Sequence, residues 1–398
     1  MKKNLLVITP CYPDWEWLVI WDPFVKTQVD SISKYFNQVY IISPRPYWFW
    51  FLSKLFDVKP NLKYYSYNNI KVFYPSFFHL PIKYYREKLW DNQFITVDRL
   101  IKKNNLKFDI IHSHFTWPCG YIWVKLKEIY HKFLVITWHG TDIRNALKWN
   151  NLLMKNKLDY VLKKSDKIHT NHEELYDLLM KNYHKFRNKI IFTYKWINID
   201  KFDKKNKKIL KKWKSLISKL WINGKFNVLF IWNLNDFKDP MTFLSTAKLL
   251  REHNNFTFLI AWGWYLKEKV EEYVKFNKLS NVKILWERND TNVLYSISNV
   301  FCAMSPYENI WSTTIQEAFC IWIPCIITNA WYTSKILHDK KDCLIVSAEN
   351  PNETANKILE VYTNFQLVNE ITNNLVEWRN RFDSNNLSKE NYDKLYKK

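Results

Sequence analysis

Short, almost wholly apolar segments recur along this chain, and stretches with apolar residues at helical spacing (i, i+3, i+4) lie between them. A strand that is apolar on both faces needs cover on both faces, which is typical of a parallel sheet between helices. The apolar segments are Leu5–Thr9, Val39–Ser43, Phe108–His112, Phe133–Thr137 and Lys167–His169, then Asn227–Ile231, Thr257–Ala261, Val282–Leu285, Val300–Ala303 and Cys325–Thr328. The helical stretches include Pro23–Phe36, Tyr121–Tyr130, Asn151–Lys163, Met241–Glu252 and Leu266–Phe276.

The two series of strands are separated by Asn198–Gly224, which is dense in lysine and poor in strand signal. We therefore predict an α/β fold of two doubly wound, Rossmann-like domains, residues 1–197 and 225–365, with 198–224 as linker. Residues 366–398 are predicted to form C-terminal helices that pack back on the first domain. Because such sheets bind ligands at the carboxyl ends of their strands, we expect the site in a central cleft that both domains face.

Composition excludes several classes of protein. The 398 residues are 47% hydrophobic and 25% charged, as in a globular protein and unlike a disordered or collagen-like chain. No window approaches the ~18 uninterrupted apolar residues of a membrane span, and Leu5–Ile8 is too short for the core of a signal peptide. We expect a cytoplasmic protein. The six cysteines show no Cys-x-x-Cys pair and no metal-binding spacing.

The net charge of +22 favours anionic partners, although a diffusely basic surface without functional meaning is an equally open interpretation. Tyr47–Leu52 and Lys63–Trp90 interleave aromatic with basic residues. Three interpretations stay open for this region: packing of a loop and an irregular helix pair, contact with an anionic membrane surface, or base stacking in a basic groove. Since no RNA-binding signature is present, nucleic acid is not an expected partner.

The stretch Ser305–Thr328 carries the most informative pattern of functional groups. A polar loop with Glu308 follows a predicted strand, and a helix is predicted to begin near Ser312 and Thr313 with Glu317 in its second turn. The free amides and positive dipole end at that position would hold an anion such as a pyrophosphate. Taken alone, the pattern also fits a helix cap and a surface glutamate.

This stretch resembles the C-terminal signature of the retaining GT-B glycosyltransferases of family four, also called glycosyl transferase group 1. In that signature a glutamate, seven residues and Glu-Ala precede a Gly-x-Pro strand start, whereas eight residues separate Glu308 from Glu317 here. Phe230–Pro240 resembles the loop whose basic pair binds the donor phosphates. Lys238 falls on the family's lysine, and Asn233 falls where arginine is common.

The first domain carries a second resemblance. The sequence Thr-Trp-His-Gly-Thr-Asp that ends at Asp142 resembles the family's His-Gly-x-Asp loop, and the preceding strand resembles the one that faces the cleft. This implies that His139 contacts the reacting sugar and that His114 and Asp142 are acceptor or cleft residues. A structural role for His139 and a helix-capping role for Asp142 stay open. At most one of His112 and His114 is expected to face the cleft.

The resemblance implies transfer of a sugar from a nucleotide-sugar donor to a glycan or lipid-linked acceptor, with retention at the anomeric carbon. It also implies that neither a metal nor another cofactor is needed. Lys238 and the amides at Ser312 and Thr313 would stabilise the departing diphosphate, Glu308 would orient the sugar and Glu317 the ribose. These implied properties fit a hexosyltransferase that acts in cell-envelope polysaccharide synthesis at the inner face of the membrane. A GT-B sugar-nucleotide epimerase and a non-catalytic sugar- or nucleic-acid-binding protein stay open.

The chain has only 4 glycines but 21 tryptophans, although tight turns favour residues that accept positive φ. When the chain is compared with the pattern of this family, many tryptophans fall at positions where the family has glycine. We hypothesise that UGA codons were translated as tryptophan for a lineage that reads them as glycine. The positions are Trp15 and Trp17 over the donor, Trp311 in the donor loop, and Trp196, Trp232, Trp262, Trp264, Trp322 and Trp331, with Trp21, Trp123 and Trp286 as further cases.

Overall fold

The computed structural model of the chain describes residues 2–10, 12–13, 23–47, 64–78, 83–115, 120–140, 152–203, 206–232, 234–261, 263, 266–286, 288, 290–307, 312–330 and 332–397. They form two compact units, Met1–Trp196 with Ser384–Lys398, and Ile197–Asp383. Each unit is described by itself below.

The strands are β1 (Leu5–Ile8), β2 (Val39–Ile42), β3 (Arg45–Tyr47), β4 (Tyr65–Tyr67), β5 (Ile70–Phe73), β6 (Ser76–Phe78), β7 (Ile110–His114), β8 (Phe133–Trp138), β9 (Lys167–Thr170), β10 (Ile190–Phe192), β11 (Phe226–Ile231), β12 (Phe256–Ala261), β13 (Val282–Trp286), β14 (Val300–Ala303), β15 (Cys325–Thr328) and β16 (Leu344–Val346). The helices are α1 (Pro23–Ser33), α2 (Lys83–Lys103), α3 (Tyr121–Tyr130), α4 (Leu152–Lys164), α5 (Glu173–Asn182), α6 (Lys207–Leu220), α7 (Pro240–Leu249), α8 (Lys267–Phe276), α9 (Thr291–Ser296), α10 (Thr313–Cys320), α11 (Thr333–Ile336), α12 (Pro351–Thr363), α13 (Phe365–Phe382) and α14 (Ser384–Tyr396).

The first unit is built on an eight-stranded sheet in the order β10-β9-β8-β7-β1-β2-β5-β4, in which β4 runs antiparallel to β5 and the other neighbours are parallel. Both faces of β1 are buried. Leu5 and Val7 pack with residues of α1 and α14, and Leu6 and Ile8 pack on the opposite face with residues of α3. The near-continuous apolar strands are therefore explained by cover on both faces.

The second unit is built on a six-stranded parallel sheet in the order β13-β12-β11-β14-β15-β16. The chain runs outward from β11 to β12 and β13 on one side, then continues with β14 on the other. The strand order thus reverses between β11 and β14, as it does between β1 and β7 in the first unit. In sheets of this kind ligands bind outside the carboxyl ends of the strands at such a switch point.

The predicted α/β class with two Rossmann-like domains is confirmed. The ten predicted strands are present within two residues of their predicted bounds, the largest shift being β7. The described part of Lys63–Trp90 is not an irregular helix pair, because it forms β4, β5, β6 and the first turns of α2. Residues 198–224 contain α6 and lie within the second unit. Of the C-terminal helices, α13 belongs to the second unit and α14 to the first.

Trp221 closes α6 in a left-handed backbone conformation, with φ 56°. The Trp221 amide donates to the Ser218 carbonyl and the Ile222 amide donates to the Ile217 carbonyl, both at 3.2 Å. These two bonds define the Schellman motif, whose left-handed residue is usually glycine because a Cβ is unfavourable there.

Trp322 holds the same place after α10, also with φ 56°. Its amide donates to the Phe319 carbonyl and the Ile323 amide donates to the Ala318 carbonyl, both at 3.1 Å. A third tryptophan, Trp286, has φ 47° beside a register shift between β12 and β13. Lys278 occupies the corresponding position after α8 with φ 52°, so other side chains are tolerated there, at a cost in stability.

Trp221→Gly is expected to raise the free energy of unfolding by about 1 kcal/mol, because it removes the penalty that a Cβ incurs in the left-handed region. The indole is 88% exposed, so little buried surface is lost. Urea unfolding measures the change. Trp221→Ala is the matched control, because it removes the same exposed ring but keeps the Cβ. A gain from alanine equal to that from glycine would contradict the explanation.

Candidate functional site

In the second unit, polar groups gather where β11 and β14 end. The chain leaves β11 through Trp232, makes a short 3₁₀ turn over Asp236–Lys238, and starts α7 with Asp239 as N-cap. The Asp239 carboxylate accepts a 3.0 Å bond from the Thr242 amide. Beyond β14, the Ser305 hydroxyl donates to the Phe237 carbonyl and ties the two loops together.

The start of α10 lies against the same loop. Ser312 precedes the first helical residue, Thr313, in an extended conformation, and its side chain does not cap the helix. Its Oγ instead accepts a 3.1 Å bond from the indole N–H of Trp232. The Lys238 ammonium lies 4.5 Å from the centre of the same ring, which is 6% exposed. The Trp232 indole therefore contacts both a cation and the start of a helix, the two groups that attract anions.

Glu317 lies in the second turn of α10, as predicted. The hydroxyl of the buried Tyr295 lies 3.0 Å from the Thr314 carbonyl oxygen and 3.3 Å from Glu317 Oε2. Burial, followed by the charge of Glu317, raises the pKa of Tyr295 well above its ordinary value. Tyr295 therefore remains a neutral donor that orients the Glu317 carboxylate.

The first unit carries a row of hydrogen bonds across neighbouring strands. Tyr396 Oη lies 2.6 Å from His112 Nδ1, and His112 Nε2 lies 2.7 Å from Thr137 Oγ1. Thr137 Oγ1 lies 2.8 Å from His169 Nδ1, and His169 Nε2 lies 2.7 Å from Thr193 Oγ1. Each imidazole can donate once and accept once, so the row is satisfied with both rings neutral. His112 and His169 therefore serve the structure of the sheet.

His114, which is buried, and His139, which is half-buried, form a second pair, with His114 Nδ1 3.1 Å from His139 Nε2. The His139 ring packs against Phe24 and Phe115 at centroid distances of 4.5 and 4.4 Å. His112 and His114 lie on the same face of the sheet, because their rings stack 4.4 Å apart. Residues two apart on a strand share a face. That at most one of them faces the cleft stays a prediction.

Burial holds the four imidazoles neutral. It lowers the pKa of His169 to about 3, and it lowers the pKa values of His112, His114 and His139 well below the ordinary value. Neighbouring groups act in the same direction, with the Lys195 ammonium next in importance for the pKa of His139 and the His139 ring for that of His114.

The free energy of unfolding is expected to fall as the pH is lowered from 7 to 5. The unfolded chain binds protons at these histidines below the ordinary pKa of 6.5, whereas the folded chain does not until their lowered pKa values are reached. Each buried histidine therefore costs about 2 kcal/mol of stability over that interval. In chemical unfolding at several pH values, His169→Gln should reduce the pH slope, and His253→Gln at an exposed position should leave it unchanged. Equal slopes for wild type and His169→Gln would contradict the argument.

A small hollow, with room for no more than about one water molecule, lies beside this cluster and is lined by Phe24, Gln28, His169, Asn171, Tyr194, Lys195 and Trp196. Gln28 Nε2 and Asn171 Oδ1 are buried there, and neither has a hydrogen-bond partner within the part of the chain that the structure describes. The Lys195 ammonium lies 4.9 Å from the Phe24 ring centre. A hydrogen-bond donor, a hydrogen-bond acceptor and a cation are thus close together, at a hollow wide enough for a single hydroxyl group. A wider depression beside Asn4 and Asp109 lies at the amino ends of the strands, away from these groups.

The structure brings together Lys238, Ser312 and Thr313 in the second unit, and His114 and His139 in the first. The sequence alone did not indicate a role for Tyr295, Thr137, His169, Thr193 or Tyr396. Their roles depend on hydrogen bonds between distant segments, which no local motif predicts. Six predicted site residues lie outside the described residues: Trp15, Trp17, Asp142, Asn233, Glu308 and Trp311. Of the other tryptophan positions, Trp21, Trp262, Trp264 and Trp331 also lie outside them.

Two further properties concern membranes and metals. Among the described helices, none is both long enough and apolar enough to cross a bilayer. Within the same residues, no three His, Cys, Asp or Glu side chains are arranged to hold a metal ion. Cys302, Cys320, Cys325 and Cys343 are buried free thiols, and burial raises their pKa values.

Both units match known family models. Residues 38–201 match the model described as Glycosyltransferase Family 4, and residues 211–378 match Glycosyl transferases group 1. The curated "Uncharacterized glycosyltransferase MJ1178" of Methanocaldococcus jannaschii is 24% identical over 279 residues, which are 69% of this chain and 71% of that protein.

Solved structures show the same architecture. Alr3699/HepE of Anabaena in complex with UDP superposes with a TM-score of 0.72 at 15% identity, covering 99% of each chain. A glycosyltransferase from Rickettsia africae superposes with a TM-score of 0.70 at 17% identity, covering 100% of each chain. With one family model on each unit and the GT-B fold over its length, the chain belongs to the group 1 glycosyltransferases.

Proposed function

We propose that this chain transfers a hexose from a nucleoside diphosphate sugar to a glycan or lipid-linked acceptor, with retention at the anomeric carbon, in cell-envelope polysaccharide synthesis. The observation that carries the proposal is that the Lys238 ammonium and the start of α10 both lie against the Trp232 indole, at the switch point of the second sheet. UDP is the first nucleotide to test, because Alr3699/HepE is described in complex with UDP and with UDP-glucose.

The proposed chemistry follows from where charge develops. As the bond between the anomeric carbon and the diphosphate oxygen breaks, the sugar becomes oxocarbenium-like and negative charge grows on the diphosphate. The Lys238 ammonium and the positive end of α10 would stabilise that charge, which is usually the largest single contribution in such sites. Glu317, oriented by Tyr295, would bind the ribose hydroxyls. The roles of Glu308 with the sugar and of His139 at the reacting carbon stay predictions.

The Trp232 indole conflicts with this proposal, because it covers the two groups that a diphosphate would need. We propose that glycine stands at position 232 in the native protein, as the UGA hypothesis requires. Support independent of the donor comes from Trp221, Trp286 and Trp322, whose left-handed conformations favour glycine.

Peptide mass spectrometry of the protein isolated from its source organism tests this hypothesis. Glycine is expected at positions 221, 232, 286 and 322. Tryptophan-containing peptides at these positions would overturn the recoding and leave the donor site covered, which would favour the non-catalytic alternative.

The transfer itself is tested with a Trp232→Gly protein and a panel of nucleotide-sugar donors. Release of nucleoside diphosphate that depends on an acceptor, and a product with the anomeric configuration of the donor in its NMR spectrum, are expected. Conversion of the donor to an epimer without any acceptor would identify the sugar-nucleotide epimerase instead. Donor binding without either reaction would identify a binding protein.

For the acceptor, we propose that one of its hydroxyl groups enters the hollow beside the histidine cluster of the first unit. Gln28 Nε2 and Asn171 Oδ1 would bind that hydroxyl group, and the Lys195 ammonium would favour an acceptor that carries negative charge. Gln28→Leu should therefore raise KM for the acceptor at least several-fold and leave KM for the donor unchanged, because the two ligands use different units. A change in donor KM alone would contradict this assignment.

A further inference from the structure

Helix α6 of the second unit has an unusual charge distribution. Its fourteen residues, Lys207–Leu220, include six lysines but no arginine and no acidic residue. The same bias extends along the chain, because residues 204–225 contain nine lysines and no aspartate or glutamate. The segment therefore contributes a large share of the net charge of +22.

The lysines of α6 lie on one side of the helix, and the four whose side chains the structure describes face solvent. At 100° per residue, the six lysine positions fall within an arc of about 160°, and the apolar residues fall on the opposite side. Ile209 and Leu216 are buried, and α6 packs against α9. Lys211, Lys212, Lys214 and Lys219 are exposed. Packing within the unit thus uses the apolar side, and only the lysine side is left for a partner.

The exposed lysines are not neutralised by neighbouring acids. Within the described residues, Lys211, Lys212, Lys214 and Lys219 form no ion pair. Asp290 is close enough to interact electrostatically with Lys212, but its carboxylate is already held by Arg288 through two 2.8 Å bonds. The surface therefore has a net positive field that an anionic partner would complete.

We propose that the lysine face of α6 docks the protein on an anionic lipid surface. Lysine ammonium groups are compact point charges that suit a diffuse layer of lipid headgroups, whereas phosphate and base recognition in nucleic acids favours the planar fork of arginine, which α6 lacks. Since the apolar side of α6 is already packed, binding is electrostatic and does not insert the helix into the bilayer. This inference does not depend on the proposed transfer reaction.

Vesicle flotation without any nucleotide or acceptor tests the proposal. The full chain should bind phosphatidylcholine vesicles that contain phosphatidylglycerol at low salt, and should not bind phosphatidylcholine alone. Raising the salt to about 0.5 M, where the Debye length is ~4 Å, should release it. Each lysine near such a surface strengthens binding roughly fivefold. The variant Lys211→Gln/Lys212→Gln/Lys214→Gln/Lys219→Gln should therefore lose on the order of 100-fold or more in partition coefficient.

The control variant must remove the same number of positive charges as the α6 variant, at exposed lysines elsewhere in the unit. Lys248→Gln/Lys269→Gln/Lys275→Gln/Lys341→Gln meets this condition and should lose less than tenfold. Unchanged thermal unfolding of both variants shows that they fold. Equal losses from the two variants would mean that only overall charge matters and would overturn the proposal. So would failure to bind the anionic vesicles, or preferential binding of single-stranded RNA through the same four lysines.

Discussion

UDP is expected to stabilise the Trp232→Gly protein strongly, whereas it should barely affect the protein that has tryptophan at position 232. The indole contacts the Lys238 ammonium and donates to Ser312, so its removal frees both groups for diphosphate oxygens. A ligand present at 100 times its dissociation constant stabilises by about 2.7 kcal/mol, which corresponds to a rise on the order of 5 °C in the melting temperature of a unit of this size. Thermal unfolding with and without UDP measures the difference.

Trp221→Gly is the matched control for this experiment, because it makes the same substitution at a helix end outside the candidate site. It should stabilise the protein without UDP and add no shift with UDP. If UDP shifts the melting temperature of the Trp232 protein and of the Trp232→Gly protein equally, the indole does not cover the donor site.

Lys238→Ala, made in the Trp232→Gly protein, is expected to lower kcat by about 100- to 1,000-fold, with a smaller change in the donor KM. The ammonium is proposed to meet charge that grows as the diphosphate departs, and such groups contribute mainly to the transition state. Nucleoside diphosphate release at saturating donor measures the effect.

Two substitutions sharpen the interpretation of this result. Lys238→Arg keeps the charge and should recover part of the rate, whereas Lys248→Ala in the neighbouring α7 should leave kcat unchanged. A Lys238→Ala protein within threefold of its parent would remove this lysine from the proposed chemistry.

The strands of both sheets were predictable where burial on both faces makes the sequence continuously apolar, as in β1 and β12. The short strands β4 and β5 were missed because Ser66 and Lys71 interrupt their aromatic and apolar residues, in a region whose sequence also fits a loop or an irregular helix pair. The place where α10 begins was also predictable, because Ser312 and Thr313 are good helix starters. The contact of Trp232 with Ser312 was not, because it joins residues 80 positions apart.

The amino-acid order alone determined the alternation of strands and helices, the division into two Rossmann-like halves and the motifs of the family, because these depend on local periodicity and spacing. Only the tertiary structure decided which polar groups meet. Strand register brings His114 opposite Thr137 and Thr137 opposite His169, and the returning α14 brings Tyr396 to His112, 284 residues away. Such contacts depend on the packing of whole elements. The neutral histidine row and the contact of the Trp232 indole with Lys238 therefore follow from the fold, and no single segment of the sequence predicts them.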